Sequence, residues 1–199
     1  MKIIFATGNR NKLKEIQAIL GDRAEVSIPA DHGVTEEIPE DAPTLEGNAL
    51  QKARYIHERT GLDCFADDTG LEVEALGGEP GVFSARYAAV NGAGERHASA
   101  DNMALLLRRL EGQQNRRARF RTVIALIRNG EEHLFEGIVN GEITLEKSGT
   151  EGFGYDPVFR PEGYAVTFAE MAPELKNRIS HRGRATARLI EFLNAEGGE

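Results

Sequence analysis

Ala66-Asp67-Asp68-Thr69-Gly70 joins two carboxylates, a hydroxyl and a glycine directly to the apolar run Cys64-Phe65-Ala66. Carboxylates are rarely buried without a partner. A buried strand end that delivers two of them to its mouth either binds a cation or activates a water. The same residues also suit an acidic turn that bonds its own backbone or caps a helix. A second stretch, Thr7-Gly8-Asn9-Arg10-Asn11-Lys12, follows an apolar run and opens an amphipathic one. Strand, glycine-containing turn and helix N-terminus together make an anion site, because free N–H groups and the helix dipole both favour negative charge. Lys12 is placed to meet a phosphate there, although the Walker A spacing is absent and an ordinary β-to-α turn fits as well. In a third stretch, Gly152-Phe153-Gly154-Tyr155-Asp156-Pro157, two glycines let backbone approach a ligand while Phe153 offers a stacking face; the alternative is a tight turn with Phe153 in the core. His181 and Arg182 stand near a helix N-terminus and add polar edges. A phosphate turn, a metal-and-water pair and a base-binding stretch together describe a nucleotide with Mg²⁺, which binds through one or two carboxylates plus substrate phosphates.

The elements that must position these groups are legible in outline. Lys2 to Ala6 reads as a buried strand, and Leu13, Ile16, Ile19 and Leu20 recur at helical spacing after it. A short strand is expected at Glu25 to Ile28, then a solvated acidic loop from Asp31 to Pro43. Thr44 is an N-cap for a helix reaching Arg59, stopped by Gly61, and on it Asn48 and Lys52 are one turn apart and look the same way. Asp101 to Leu110 reads as another helix. Asn129-Gly130 marks a hairpin between Arg119–Ile127 and His133–Val139, with a further turn expected at Asn140-Gly141 before Glu142 to Leu145. Pro173 opens a short helix carrying Lys176, and Ser180 precedes a last helix with Ala185, Leu189, Phe192 and Leu193 on its inner face. A meander after strand–helix units implies a mixed sheet.

Length and composition bound the class. The 199 residues are expected to form one domain, 1–199, with a frayed tail from about Ala195. A formal net charge of −8, from 32 acidic and 24 basic residues, argues against a nucleic-acid partner bound through a broad basic surface. The opening apolar run is too short for a signal peptide and no stretch approaches a membrane span, so no membrane partner is expected. With one cysteine, Cys64, no internal disulfide can form, and a cytoplasmic location is the expectation.

Five motifs occur here in an order that resembles the inosine triphosphate pyrophosphatase (Ham1-like) family. They are Ala6-Thr7-Gly8-Asn9 with Lys12, Ala66-Asp67-Asp68-Thr69-Gly70, Gly77-Gly78 with Pro80-Gly81 and Ser84-Ala85-Arg86, Gly152-Phe153-Gly154-Tyr155-Asp156-Pro157, and Ser180-His181-Arg182. The resemblance runs from Lys2 to about Leu193. It implies an α/β fold with a long mixed β-sheet flanked by helices, two lobes enclosing an active-site cleft, and a homodimer. The implied reaction is hydrolysis of inosine, deoxyinosine or xanthosine triphosphate to the monophosphate and pyrophosphate, with Mg²⁺ as cofactor. Carried over by motif, Thr7, Gly8, Asn9, Arg10, Asn11 and Lys12 hold phosphates, Asp68 is proton acceptor and metal ligand, and Thr69 contacts substrate. Phe153, Gly154, Tyr155, Asp156, Lys176, His181 and Arg182 line the nucleoside side, Arg182 as a donor to the 6-oxygen of the base. Glu40 aligns with the family's other metal ligand, preceded here by Pro39. Members often carry Glu-Glu before Asn48, where this chain has Glu46-Gly47, and often serine where Thr69 stands. Lys52 and Arg86 are further candidate cations, and Asp67 either touches the metal or supports Asp68. Two other readings stand beside this one: a Maf-like pyrophosphatase for other modified nucleotides, and a nucleotide-binding sensor without turnover.

Overall fold

The structure, a computed structural model, describes residues 1–196. The chain opens with β1 (Lys2–Phe5), α1 (Arg10–Leu20), β2 (Glu25–Ser27) and α2 (Leu45–Thr60). It continues through β3 (Cys64–Val73), β4 (Pro80–Gly81), α3 (Tyr87–Val90), α4 (Ser99–Arg109), β5 (Arg117–Arg128) and β6 (Glu131–Ile143). It closes with β7 (Phe159–Pro161), α5 (Pro173–Ile179) and α6 (His181–Glu196). The fold is α/β, and its seven-stranded sheet is mixed: β1 pairs parallel with β2 and β3, whereas β3–β4 and β6–β7 are antiparallel.

The chain divides into two compact units, and β3, β5 and β6 contribute residues to both. The first takes Met1–Asp68, Thr122–Gly137 and the chain from His181 onward. Its core gathers Ile3, Phe5, Ile16, Leu20, Phe65, Ile124, Leu126 and Leu189. Phe5 and Phe65 stack with ring centroids 4.6 Å apart, so the two parallel strands are joined by aromatic packing as well as by their ladder. The second unit takes Thr69–Arg121 and Ile138–Ser180. Its core centres on Leu71, Val73, Tyr87, Leu106, Phe120, Phe159 and Phe168, with Phe120 edge-on to Phe159 at 4.6 Å.

Three expectations change. The apolar run at Cys64 does not end at the acidic pair, because β3 carries on through it to Val73. Partnering by β1 stops earlier: the register pairs Ile4 with Cys64 and Phe5 with Phe65, after which β1 turns away toward α1. Ala66 to Asp68 therefore run past the end of β1 beside the turn that opens α1, with their backbone still extended. Asn140-Gly141 is the interior of β6, not a turn, because Gly141 pairs with Pro161 and a Cβ there would collide with the Arg160 carbonyl and the Phe159 ring. The helix α6 extends through Ala195 to Glu196, and the rest of the expected tail, 197–199, lies outside the described residues.

Asn129 and Gly130 adopt φ of 52° and 80°, the pattern of a two-residue hairpin turn, and link β5 to β6. Thr44 accepts from the Gly47 N–H at 3.0 Å, and Gly61, at φ 66°, ends α2 in the left-handed region.

Candidate active site

The turn at Thr7–Lys12 is a built helix start. Thr7 Oγ1 accepts from the Asn9 N–H at 3.0 Å, and Asn9 Oδ1 accepts from the N–H groups of Asn11 and Lys12 at 3.0 and 3.2 Å. Asn9 thus caps α1 and occupies two donors that the sequence left free for an anion. Gly8 and Arg10 keep backbone N–H groups that bond to no protein acceptor among the described residues, and the space beside Gly8 is open. Arg10 and Asn11 are exposed, whereas the Lys12 side chain turns inward to Asp67 Oδ1 at 3.1 Å.

Asp67 and Asp68 are both buried, and each has its own set of partners. Asp67 receives Lys12 on Oδ1 and the Arg182 Nε and Nη2 groups on Oδ2, both at 3.3 Å. Lys52 Nζ donates to the Asp67 carbonyl at 2.7 Å. Burial works to raise the Asp67 pKa, but Lys12, Arg182 and Lys52 outweigh it and hold the carboxyl well below the usual range. Asp68 goes the other way. Burial pushes it up to about 7, and Glu40 adds to the rise as a nearby negative charge and as a hydrogen-bond partner. The Asp68 carboxyl also hydrogen-bonds Glu40, whose own pKa is lowered because Lys52, 2.9 Å from Oε1, and the bond with Asp68 together outweigh its burial. One aspartate is thus a fixed anion and its neighbour a group that exchanges protons near neutrality.

The residues that hold this pair come from α1, α2 and α6. On α2, Asn48 donates to Asp68 Oδ2 at 3.1 Å, and Lys52, one turn on, reaches Glu40 and Asp67. The acidic segment before α2 is not a solvated loop along its whole length: Glu40, Asp41 and Ala42 bond to Lys52, Gln51 and Asn48. Gly47 also matters here, since a Cβ would stand 2.8 Å from Ala42 Cβ; the missing glutamate makes room for that segment. Arg182 is fully buried in the first turn of α6, with Nη1 on Glu15 of α1 at 2.6 Å and its other donors on Asp67. Gly137 of β6 permits this approach, because a Cβ would collide with the His181 carbonyl and the Ala185 N–H. His181 is buried beside it. Glu15, which the sequence reading missed, lies three residues after Lys12 on α1, and that spacing was the signal available.

The second unit holds a different cluster. Thr69, the next residue of β3, is half-buried. Phe153, also half-buried, lies under the Lys176 ammonium at 5.0 Å from its ring centroid, and Lys176 pairs with Asp156 Oδ2 at 2.6 Å. Asp156 Oδ2 also accepts the Phe153 N–H at 3.0 Å, closing a small loop in which Gly152 adopts φ 73°. Gly154, at φ 63°, has open space where a side chain would be. Tyr155 is buried and gives its hydroxyl to the Ser84 carbonyl at 2.6 Å, so its polar end supports a neighbouring loop. Ser84 in turn accepts from the Leu71 N–H and donates to the Gly81 carbonyl, which ties the Gly77–Arg86 segment to β3. Arg86 stands over Phe83 at 5.4 Å.

The Ham1 family profile matches residues 3–192. The chain belongs to the Ham1 family. It is 52% identical to a protein of Flavobacterium johnsoniae named dITP/XTP pyrophosphatase, over 98% of this chain and 99% of that one. A protein of the same name from Flavobacterium psychrophilum is 53% identical over 97% of this chain and 99% of its own length. Among solved structures, a Ham1 protein from Coxiella burnetii superposes with a TM-score of 0.88 at 38% identity, covering 98% of this chain and 99% of its own. The Ham1 proteins thus share this chain's architecture over its full length.

A divalent cation suits the donors present in this Ham1-family chain. No three His, Cys, Asp or Glu side chains form a closed cage among the described residues. Two carboxyls, Asp68 and Glu40, instead stand as hydrogen-bonded neighbours, and their like charges disfavour ionising both. A hard cation that keeps several waters and completes its shell with phosphate oxygens needs no larger protein cage. Among the described residues no helix is long and apolar enough to cross a membrane.

Proposed function

We propose that this chain hydrolyses inosine, deoxyinosine and xanthosine triphosphates to the monophosphate and pyrophosphate, as a Mg²⁺-dependent single catalytic domain working as a cytoplasmic homodimer. The relatives named dITP/XTP pyrophosphatase support the reaction class. The observation that carries it at the level of chemistry is the Asp68–Glu40 carboxyl pair, flanked by the ammonium groups of the half-buried Lys12 and the buried Lys52.

Pyrophosphate release requires a water oxygen to bond to the α-phosphorus while the bond from that phosphorus to the β-bridging oxygen breaks. Asp68, poised near neutrality, takes the water's proton, and the electron pair of the broken bond leaves with pyrophosphate. Asp68 and Glu40 would hold a Mg²⁺, which would supply charge neutralisation and a more acidic water. Lys12 and Lys52 supply positive charge that the protein has already desolvated. Two unit charges about 4 Å apart interact by about 4 kcal/mol at an effective dielectric near 20, and the lysines lower the barrier by the part of this that grows as charge develops in the transition state. The Lys12 pKa is lowered chiefly by burial, an effect that the Asp67 carboxylate opposes and an incoming phosphate would oppose further. We assign phosphate handling to Thr7–Lys12, nucleoside recognition to Thr69, Phe153–Asp156, Lys176 and His181, and support of the phosphate side to Arg182. Because Arg182 spends its donors on Asp67 and Glu15, its contribution is to hold the phosphate side in place more than to read a base edge.

The test is a panel of nucleoside triphosphates with Mg²⁺ and separate detection of pyrophosphate and orthophosphate. Pyrophosphate from inosine and xanthosine triphosphates, with adenosine and methylated pyrimidine triphosphates turned over far more slowly, is expected. Orthophosphate as first product would overturn the reading.

A further inference from the structure

Asn48 has no exposed surface, and it lies where the acidic segment, α2 and β3 meet. Its Oδ1 accepts the Ala42 N–H at 2.8 Å and its Nδ2 donates to Asp68 Oδ2 at 3.1 Å. These two bonds fix the orientation of the amide. Turned over, it would set a donor against a donor and an oxygen against a carboxylate. No hydrocarbon of the same size makes either bond, and aspartate makes only the first. Ala42 follows Glu40 by two residues, and the segment between is held by the paired bonds of Asp41 with Gln51. One buried amide therefore ties the segment that bears Glu40 to the carboxylate of Asp68.

We propose that Asn48 is a positioning residue: it fixes the Asp68 carboxylate and the Glu40 segment in one rigid arrangement, so that both carboxyls are presented together to a single divalent cation. This deepens the pyrophosphatase reading and rests on it. Nδ2 holds Oδ2 of Asp68, and the same carboxyl is hydrogen-bonded to Glu40, so the two carboxyls are set side by side. Lys52 performs the complementary task on Glu40, one helical turn away. Asn48 itself touches neither reacting atoms nor phosphate. A purely structural Asn48 would alter stability alone and leave the folded protein's cation affinity and turnover untouched.

The experiment compares the full-length wild type with Asn48→Leu, which loses both bonds, and Asn48→Asp, which keeps the acceptor for Ala42 and loses the donor to Asp68. Three properties are read: Mn²⁺ affinity without nucleotide, by the EPR signal of the free ion; kcat and KM for deoxyinosine triphosphate; and amide hydrogen exchange over residues 39–43. Groups that orient metal ligands are worth about 10–100-fold in affinity or activity, so Asn48→Leu should weaken Mn²⁺ and lower kcat by factors in that range, with KM within about threefold. Its Ala42 amide should exchange faster. Asn48→Asp should keep the slow Ala42 exchange and still lose kcat by about 10-fold or more. Wild-type kcat and Mn²⁺ affinity in a folded Asn48→Leu would overturn the proposal. Should that variant fail to fold, a wild-type kcat in Asn48→Asp would overturn it alone. A wild type that releases no pyrophosphate would refute the functional reading instead, while Mn²⁺ affinity and amide exchange still decide the role of Asn48.

Discussion

The two units treat charge in opposite ways. In the first, two buried cations, Lys52 and Arg182, and the half-buried Lys12 interlock with the carboxyls of Glu15, Glu40, Asp67 and Asp68. In the second, one buried pair, Lys176 with Asp156, sits against the rings of Phe153 and Phe168, in a loop organised by backbone bonds and glycines. The first cluster is over-determined: Asp67 alone meets three cations, so its charge is fixed while Asp68 beside it is left to exchange a proton. The second holds flat rings and an ammonium fixed by its ion pair with Asp156. On the proposed function the difference is a division of labour, with chemistry assigned to the charge-dense cluster and recognition to the aromatic one.

Asp68→Asn tests that division hardest. It keeps the side-chain shape, removes the proton acceptor, and should lower kcat by about 10³-fold, within the range attributed to a positioned general base. Nucleotide binding, measured by equilibrium titration, should stay within about threefold. A variant that lost affinity and kept its residual turnover would make Asp68 a binding group and erase the contrast.

Phe153→Ala is the converse. Base–aromatic stacking is worth about 1–3 kcal/mol per base, so KM for deoxyinosine triphosphate should rise about 5–150-fold while kcat changes little. A fall in kcat with KM unchanged would place chemistry in the aromatic cluster. Measured side by side, the two variants should move different kinetic parameters.

How much of this was visible in the chain alone depends on the range of the cause. The strand–turn–helix at the N-terminus, the Thr44 cap, the Gly61 stop and the Asn129-Gly130 hairpin are set by residues within a few positions of one another, and all were legible. Two adjacent aspartates are poor strand formers, and only the cations that α1, α2 and α6 bring from afar make their burial in β3 tolerable. That is why β3 was expected to stop at Asp67. The Arg182 pairs with Asp67 and Glu15 span 115 and 167 residues, and no local pattern announces them. The motif order identified which residues mattered; it did not show that Asn9 caps its own helix or that Tyr155 faces Ser84.

A smaller effect sharpens the contrast through pH. With its pKa raised to about 7 by burial and by Glu40, Asp68 binds its proton more tightly folded than unfolded. Its contribution to stability is therefore full below the ordinary carboxylate range and is lost as pH rises through about 7. The metal-free protein should lose several degrees of Tm between pH 5 and 8 from this group, at roughly 2–4 °C per kcal/mol for a chain of this size. Mg²⁺ should restore it at pH 8, since a cation replaces the proton. Asp68→Asn should flatten the profile and remove the Mg²⁺ response. If it kept the wild-type profile, the titrating group would lie elsewhere.

Tyr155→Phe gives the smallest effect and separates support from recognition inside the second unit. The family pattern places Tyr155 among nucleoside contacts, but its hydroxyl donates to the Ser84 carbonyl and its ring is buried. Burial and the neighbouring Tyr87 raise its pKa, so the hydroxyl keeps its proton, and that donor, throughout the working pH range. Removing the hydroxyl leaves a buried carbonyl short of one partner, a loss of about 1 kcal/mol, or roughly 2–4 °C in Tm. The kinetic constants should stay within about twofold, because the buried ring remains in the core. A tenfold rise in KM without a change in Tm would show that the hydroxyl reads the nucleotide directly. The Ser84 bond would then be only its resting place, and recognition in the second unit would rest on two aromatic side chains.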